Sequence, residues 1–354
     1  MLQLDPHGDL VTLFRAIVDT ESVSGHEGPL ADGIEAALRR SPHLGVRRVG
    51  DTLIARTELG RPERVVVAGH LDTVPVAGNL PSRMDGDVVY GRGASDMKGG
   101  VAVMLACAAA LERPSRDVTW IFYDHEEVDS SLNSLGRLGR DDLAGDFAIL
   151  MEPTAAGIEG GCQGTVRFTI TTRGVAAHAA RGWLGHNAIH DAMDVLARLV
   201  RYKSREVVVD GLTYREGMNA VGITGGIAEN VIPDRCEVHV NLRFAPDRDE
   251  QQAKDHCREI FVGYEPVFTD FAPAARPGLD RPIAKEFVDC VGGVPRAKFG
   301  WTDVARFATF GVPAVNFGPG DPAVAHADDE RCPVGDLTFC RDAMLRFLGG
   351  RTGR

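Results

Sequence analysis

Short apolar runs that end in acidic residues or histidine constrain this chain more than any other feature. Val65-Val66-Val67-Ala68 leads into Gly69-His70-Leu71-Asp72, Val118 to Tyr123 leads into Asp124-His125-Glu126-Glu127, and Phe147 to Met151 leads into Glu152. A further run, Ala314-Val315-Asn316-Phe317, precedes a loop that contains His326. Runs this short that stay apolar throughout read as strands buried on both faces, as in parallel sheets covered by helices. Helical spacing supplies the covering layers. Leu10, Leu13, Phe14 and Ile17 share one helical face, as do Leu30, Ile34, Ala37 and Leu38, while Val101 to Leu111 is too long and too Ala-rich for a strand. The expected fold class is α/β, with a mixed, mostly parallel sheet and helices on both faces.

The texture changes near Gly164. Thr165 to Thr172 alternates polar and apolar residues, Asn187 to Tyr202 is helical, Ala220 to Ile227 and Cys236 to Phe244 read as strands, Arg248 to Phe261 is helical and Pro266 to Phe271 is a last strand. That order predicts a ferredoxin-like α+β module inserted over residues 164–279, with 1–163 and 280–354 forming the sheet domain. With 354 residues and 44% hydrophobic content, the chain can fill two cores. Ala272 to Arg281, rich in Pro and Gly, reads as the return linker, and Pro282 starts a helix.

The net charge is -11, from 39 Lys+Arg against 50 Asp+Glu, and no dense basic block is present. Nucleic acid and anionic membrane are therefore excluded as expected partners, and a small molecule is favoured. The start, Met1 to His7, lacks the basic and apolar segments of a signal peptide, and no run approaches the ~18 apolar residues of a membrane span, so a cytoplasmic location is expected. The seven cysteines are scattered singly and never spaced C-x-x-C, so any metal must be held by His, Asp and Glu.

Open parallel sheets bind ligands at the carboxyl edge of their strands. The residues expected there are His70, Asp72, Glu126, Glu127, Glu152 and, in its loop, His326; Asp96 falls in Gly91 to Gly100 at the expected start of the Ala-rich helix. Each has an ordinary explanation when taken singly. His-x-Asp is commonly a hydrogen-bonded surface pair, adjacent glutamates commonly a solvated turn, and a Gly-rich loop commonly a helix start. That loop lacks the phosphate-binding patterns G-x-G-x-x-G and Walker Lys-Ser/Thr. Convergence after several strands is what the ordinary explanations leave unaccounted for. Imidazoles and carboxylates without thiolates match catalytic rather than structural zinc.

Gly69-His70-Leu71-Asp72-Thr73-Val74-Pro75, the Asp96 loop, the Glu126-Glu127 pair, Glu152-Pro153-Thr154 and Ala325-His326 together resemble the ordered signatures of the aminoacylase and carboxypeptidase family of co-catalytic zinc hydrolases. Glu159 to Gly164, Arg181 to Gly185, Asn230 to Asp234 and Gly300 to Asp303 resemble, more narrowly, the actinobacterial-type succinyl-diaminopimelate desuccinylases within it. The resemblance implies two Zn2+ per subunit, with Co2+ able to substitute. Asp96 bridges them, His70 and Glu152 complete one site, and Glu127 and His326 complete the other. Asp72 is expected to orient His70 through its second ring nitrogen.

Glu126 is left free as general base, and His178 matches the family histidine that faces the oxyanion, supplied by the inserted lid domain of a homodimer. Arg243, Asn230 and Thr165 match substrate-binding positions, Arg243 as the partner of a carboxylate. Trp301-Thr302-Asp303 is expected at the pocket rim, and His125, His186 and His190 are read as non-ligands. The implied reaction is hydrolysis of N-succinyl-L,L-2,6-diaminopimelate in diaminopimelate and lysine biosynthesis. Deacylation of acetylornithine, dipeptide hydrolysis and a non-catalytic metal or ligand binder stay open as alternatives, because the metal core is common to the enzymes and fold does not dictate function.

Overall fold

The computed structural model describes residues 2–350; Met1 and residues 351–354, at the outer ends of the expected sheet-domain segments, lie outside the described residues. The chain divides into two compact units. One comprises residues up to Gly160, Pro277–Arg296 and the chain from Asp303; the other comprises Gly161–Arg276 and Ala297–Thr302.

The first unit is built on an eight-stranded sheet in the order Gly45–Val49, Thr52–Arg56, Asp117–Tyr123, Arg64–His70, Phe147–Leu150, Ala314–Asn316, Glu159–Gly160, Arg296–Ala297. Its centre is parallel. Arg64–His70 pairs with Asp117–Tyr123 on one side and Phe147–Leu150 on the other, and Ala314–Asn316 extends the parallel set. The pairings that flank this centre, Thr52–Arg56 with Asp117–Tyr123 and Ala314–Asn316 with Glu159–Gly160, are antiparallel, so the sheet is mixed, in line with the expected fold class. His70 lies opposite Tyr123 and Ala68 opposite Leu150, which brings the ends of these strands to one edge.

Alternation along Arg64–His70 explains the two covering layers. Val65 and Val67 join one apolar cluster with helices Leu10–Asp19, Gly28–Leu38, Gly99–Ala110, Pro282–Val291 and Val334–Gly349. Helix Val304–Thr309 packs instead on Phe147–Leu150 and Ala314–Asn316. Gly99–Ala110 is buried up to Ala109, and its small residues permit that: a Cβ on Gly100 would sit 2.3 Å from the Met151 carbonyl oxygen. Phe287 closes the core, its ring 5.7 Å from Phe147, 5.3 Å from Phe317 and 4.9 Å from Phe347. Phe287→Ala is expected to lower stability by about 3–5 kcal/mol through lost burial plus a cavity; denaturant unfolding with an unchanged midpoint would contradict this packing.

The second unit has a four-stranded sheet in the order Gly217–Gly225, Arg235–Phe244, Gly164–Arg173, Val267–Ala272, all pairs antiparallel. Helices Ala188–Arg201 and Glu250–Ile260 close one face around Phe168, Val238, Val240 and Phe261. This is the ferredoxin-like order read from the sequence. A hairpin, Glu206–Val209 with Leu212–Arg215, is additional. Its turn is Asp210-Gly211, with φ of 49° and 85°, a dipeptide suited to a two-residue hairpin turn.

The expected segment 280–354 is interrupted as well, since Ala297–Thr302 groups with the second unit. There the Trp301 indole N–H donates to the Pro273 carbonyl at 3.1 Å, giving a large amphipathic ring both packing and a partner. Among the described residues no helix is long and apolar enough to cross a membrane.

Candidate metal centre

His70 is the last residue of its strand. Its Nδ1 lies 2.9 Å from the Asp72 carbonyl oxygen, which can only accept, so Nδ1 carries hydrogen and Nε2 is directed to Asp96 Oδ1 at 3.1 Å. Glu152 follows the strand Phe147–Leu150, where the Met151 amide donates to the Ala68 carbonyl at 2.9 Å. Asp96 lies directly before helix Gly99–Ala110, at the helix start where its loop is expected, in a kinked segment with φ -117° and ψ 98°. Gly93, with φ 78°, admits that kink; a Cβ there would meet the Thr73 methyl at 2.6 Å.

His326, at φ 65°, places Nε2 2.8 Å from Glu127 Oε1 and 3.5 Å from Asp96 Oδ2. Donor atoms of His70, Asp96 and Glu152 lie within 4.8 Å of one another, as do those of Asp96, Glu127 and His326. Asp96 is common to both sets, and its two oxygens face different histidines. Glu126 also falls within 4.8 Å of His70 and Glu127 but in neither of those sets.

Asp72 meets the second ring nitrogen of His70 through its backbone carbonyl, and its side chain turns elsewhere. Its carboxylate accepts from the Glu126 amide at 3.0 Å, the Glu127 amide at 2.9 Å and the Ser24 hydroxyl at 2.7 Å, whereas Oδ1 is 3.6 Å from His70 Nδ1. The backbone of Asp72 thus orients His70, and its side chain shapes the turn that presents the glutamate pair.

The donor set fits divalent cations on electrostatic grounds. Four acidic side chains, Asp96, Glu126, Glu127 and Glu152, meet around two imidazoles. Burial disfavours charge on Asp96, yet its contacts with His326 and His70 hold its carboxyl well below the usual range. Contacts with Asp96 and Glu127 push His326 up to about 10, and the carboxylates around His70 outweigh its burial and raise it as well. Protons on the histidines therefore supply the positive charge that metal would replace. Because His326 is protonated at every pH well below 10, metal binding near neutrality is expected to release protons and to strengthen as pH rises. Calorimetry in buffers of different ionisation enthalpy measures the release; a buffer-independent heat would contradict this charge state.

In the second unit the structure makes two pairs of the remaining candidates. Thr165 and Arg243 are direct neighbours across adjacent strands, and Thr165 accepts from the Asn241 amide at 3.2 Å. Arg243 is half-buried and its side chain makes no hydrogen bond or ion pair among the described residues; burial, then Arg167, lowers its pKa. His178 pairs with Val231 beside Asn230, whose carbonyl accepts the Ala179 amide at 2.8 Å. The Ala180 amide donates to His178 Nδ1 at 3.0 Å, so the neutral ring carries its hydrogen on Nε2 and can donate from it.

Asp303 is not a rim residue. It is fully buried in the first unit and accepts from the Tyr123 hydroxyl and Asn133 amide, each at 2.9 Å, and from Arg306. His125 lies 2.6 Å from Asp124 and His186 2.6 Å from Asp191, and neither they nor His190 join a ligand set. Glu330, buried beneath the Asp96 loop, escaped the sequence reading because an acid in Asp328-Asp329-Glu330 resembles a solvated loop. Its position four residues beyond His326 was the available signal.

The profile of Peptidase family M20/M25/M40 matches residues 66–349. A Mycobacterium tuberculosis protein provisionally named as a succinyl-diaminopimelate desuccinylase is 52% identical over 353 residues, covering 98% of this chain and 100% of that one. The succinyl-diaminopimelate desuccinylase of Corynebacterium glutamicum is 47% identical over 360 residues, covering 98% of this chain and 97% of its own. Among solved structures, the aminopeptidase PepT of Bacillus cereus superposes with a TM-score of 0.79 at 17% identity, with 98% of each chain covered, a likeness of fold.

Proposed function

The chain belongs to Peptidase family M20/M25/M40, and from that membership we propose that it hydrolyses N-succinyl-L,L-2,6-diaminopimelate to succinate and L,L-2,6-diaminopimelate, a step of diaminopimelate and lysine biosynthesis. The single observation that carries the reading is the sharing of Asp96 between two three-residue ligand sets, with Glu126 beside them in neither set. His70, Asp96 and Glu152 would hold one metal ion, and Asp96, Glu127 and His326 the other; two Zn2+ are the proposed cofactor, with Co2+ able to replace them. When bound, the pair supplies acidification of water and neutralisation of charge on the scissile carbonyl.

Glu126 accepts a proton from water as its oxygen attacks the amide carbon, and returns that proton to the nitrogen as the C–N bond breaks. Burial, reinforced by Glu152, Asp303 and Glu127, holds its carboxyl well above its ordinary value despite His70. Asp72 keeps the base in place by holding the amides of both glutamates. His178, with its hydrogen on Nε2, is a donor suited to the oxyanion. Arg243 answers a substrate carboxylate, supported by a half-buried side chain that makes no direct hydrogen bond or ion pair among the described residues, while Thr165 and Asn230 complete the polar lining.

The specificity rests on the two relatives of 47–52% identity named for this substrate; acetylornithine and dipeptides are the competing substrates. The intact set of Glu126 and five ligands favours an enzyme over a binding protein. The proposed setting is the cytoplasm. The proposed oligomer is a homodimer through the second unit, supported by apolar side chains left exposed on its helix, Met193 at 73% and Val200 at 86%, and on its edge strand, Ile223 at 52%. Light scattering is expected to give a dimer; a monomer would leave His178 without a role across subunits.

The test is release of free amine from N-succinyl-L,L-diaminopimelate, N-acetylornithine and several dipeptides by metal-free protein, before and after addition of Zn2+. Zinc-dependent turnover confined to the succinyl compound is expected. Turnover of another substrate alone would overturn the specificity, and no turnover of any would overturn the enzymatic reading.

A further inference from the structure

We propose that the buried Arg92–Glu330 ion pair is a positioning element that couples the Asp96 and His326 loops, and so sets the affinity of the second metal site separately from the first. The proposal rests on the metal-pair reading above. Arg92 and Glu330 are only 3% and 1% exposed. Glu330 Oε2 accepts from Arg92 Nη1 and from the Gly93 amide, each at 3.0 Å, and Oε1 accepts from the Ser95 amide at 3.1 Å and the Asp96 amide at 2.9 Å. One carboxylate thus satisfies three amides of a segment whose kinked backbone leaves them outside the helix ladder.

Arg92 continues the tie. Its Nε donates to the Pro75 carbonyl at 3.0 Å and Nη1 to the Ala327 carbonyl at 3.2 Å. Three loops therefore meet at one ion pair: the loop after His70 and Asp72, the loop bearing Asp96 and the loop bearing His326. Glu330 is anchored in turn, because the Gly91 amide donates to its carbonyl at 3.0 Å and Arg331–Pro333 pairs with Val88–Tyr90.

The two ligand sets depend on this hub unequally. His70 ends a strand paired on both sides, and Glu152 follows a strand whose next residue, Met151, is bonded to Ala68. The sheet holds them without help from the hub. Asp96 and His326 both hang from loops joined at Glu330. Removing a partner from a buried ion pair leaves an uncompensated charge that the loops must move to solvate. Loss of the pair thus releases the metal at Asp96, Glu127 and His326 first, while the site with His70 and Glu152 is weakened less.

The test is titration of metal-free wild-type protein, Glu330→Gln, Glu330→Asp and Arg92→Lys with Zn2+, followed by calorimetry, with circular dichroism and thermal melts recorded alongside. Glu330→Gln is expected to keep the first Zn2+ and to bind the second about 10–100-fold more weakly, the usual effect of removing a partner of the ligands. Glu330→Asp, which keeps the charge but retracts it, should fall between. KM should be little changed, and turnover should recover as free Zn2+ is raised.

Where Glu330→Gln does not fold, the other two variants decide by the same comparison. Wild-type affinity at both sites in the folded variants overturns the proposal, even where melting temperature falls, and so does failure of all three to fold, since the pair would then hold the fold and not the site. A wild-type chain that binds fewer than two Zn2+ is a distinct outcome: it overturns the metal-pair reading itself.

Discussion

Glu126→Gln is expected to lower turnover by about a hundred- to ten-thousand-fold while both metals remain bound, the loss typical of removing a positioned general base. The substitution is close to isosteric and leaves the amide of residue 126 free to donate to Asp72 as before. The two three-residue sets that share Asp96 are each complete without Glu126. What the amide side chain cannot do is accept the proton from attacking water. Steady-state rates with metal content measured on the same sample check the result. Unaltered turnover would remove Glu126 from the base role, and loss of a metal together with activity would make it a ligand instead.

Asp96→Ala is expected to have the largest effect on the centre. It leaves His70 with Glu152 and Glu127 with His326, two donors on each side, where catalytic zinc ordinarily has three protein ligands. Both metals should be lost at stoichiometric concentration and turnover should fall to background. His326→Ala should instead lose only the metal that it helps to hold. The Asp96 carboxylate contributes most to the raised His326 pKa, with Glu127 next, so in metal-free Asp96→Ala the ring should titrate below about 10. NMR titration of the histidine measures that change together with the loss of metal. Two metals retained in Asp96→Ala would show that the carboxylate is not shared.

Several parts of the protein were legible in its sequence because they rest on local periodicity. Uninterrupted apolar runs identified Arg64–His70, Asp117–Tyr123 and Phe147–Leu150 as central strands. Cys236 to Phe244 read as a strand, and the alternating burial along Arg235–Phe244 shows its one covered face in the second unit. Capping was local too: Asn187 accepts from the amides of Ile189 and His190 at the start of its helix. The hairpin at Asp210-Gly211 had a local signal that the longer helix and strand patterns on either side obscured.

By itself, then, the amino-acid sequence determined the central strands, the ferredoxin-like order of the second unit and the His, Asp and Glu residues that the sheet edge would gather, since each depends on side-chain type within a few positions. Only the tertiary structure decided how those residues are held. The Asp72 carboxylate reaches the amides of Glu126 and Glu127, 54 and 55 positions away, and it is the backbone carbonyl that meets the His70 ring. Glu330 meets Arg92 across 238 positions, and Asp303 meets Tyr123 across 180. Buried charges must find partners wherever the packed chain supplies them, and no periodicity along the sequence records which distant amide, hydroxyl or guanidinium that will be.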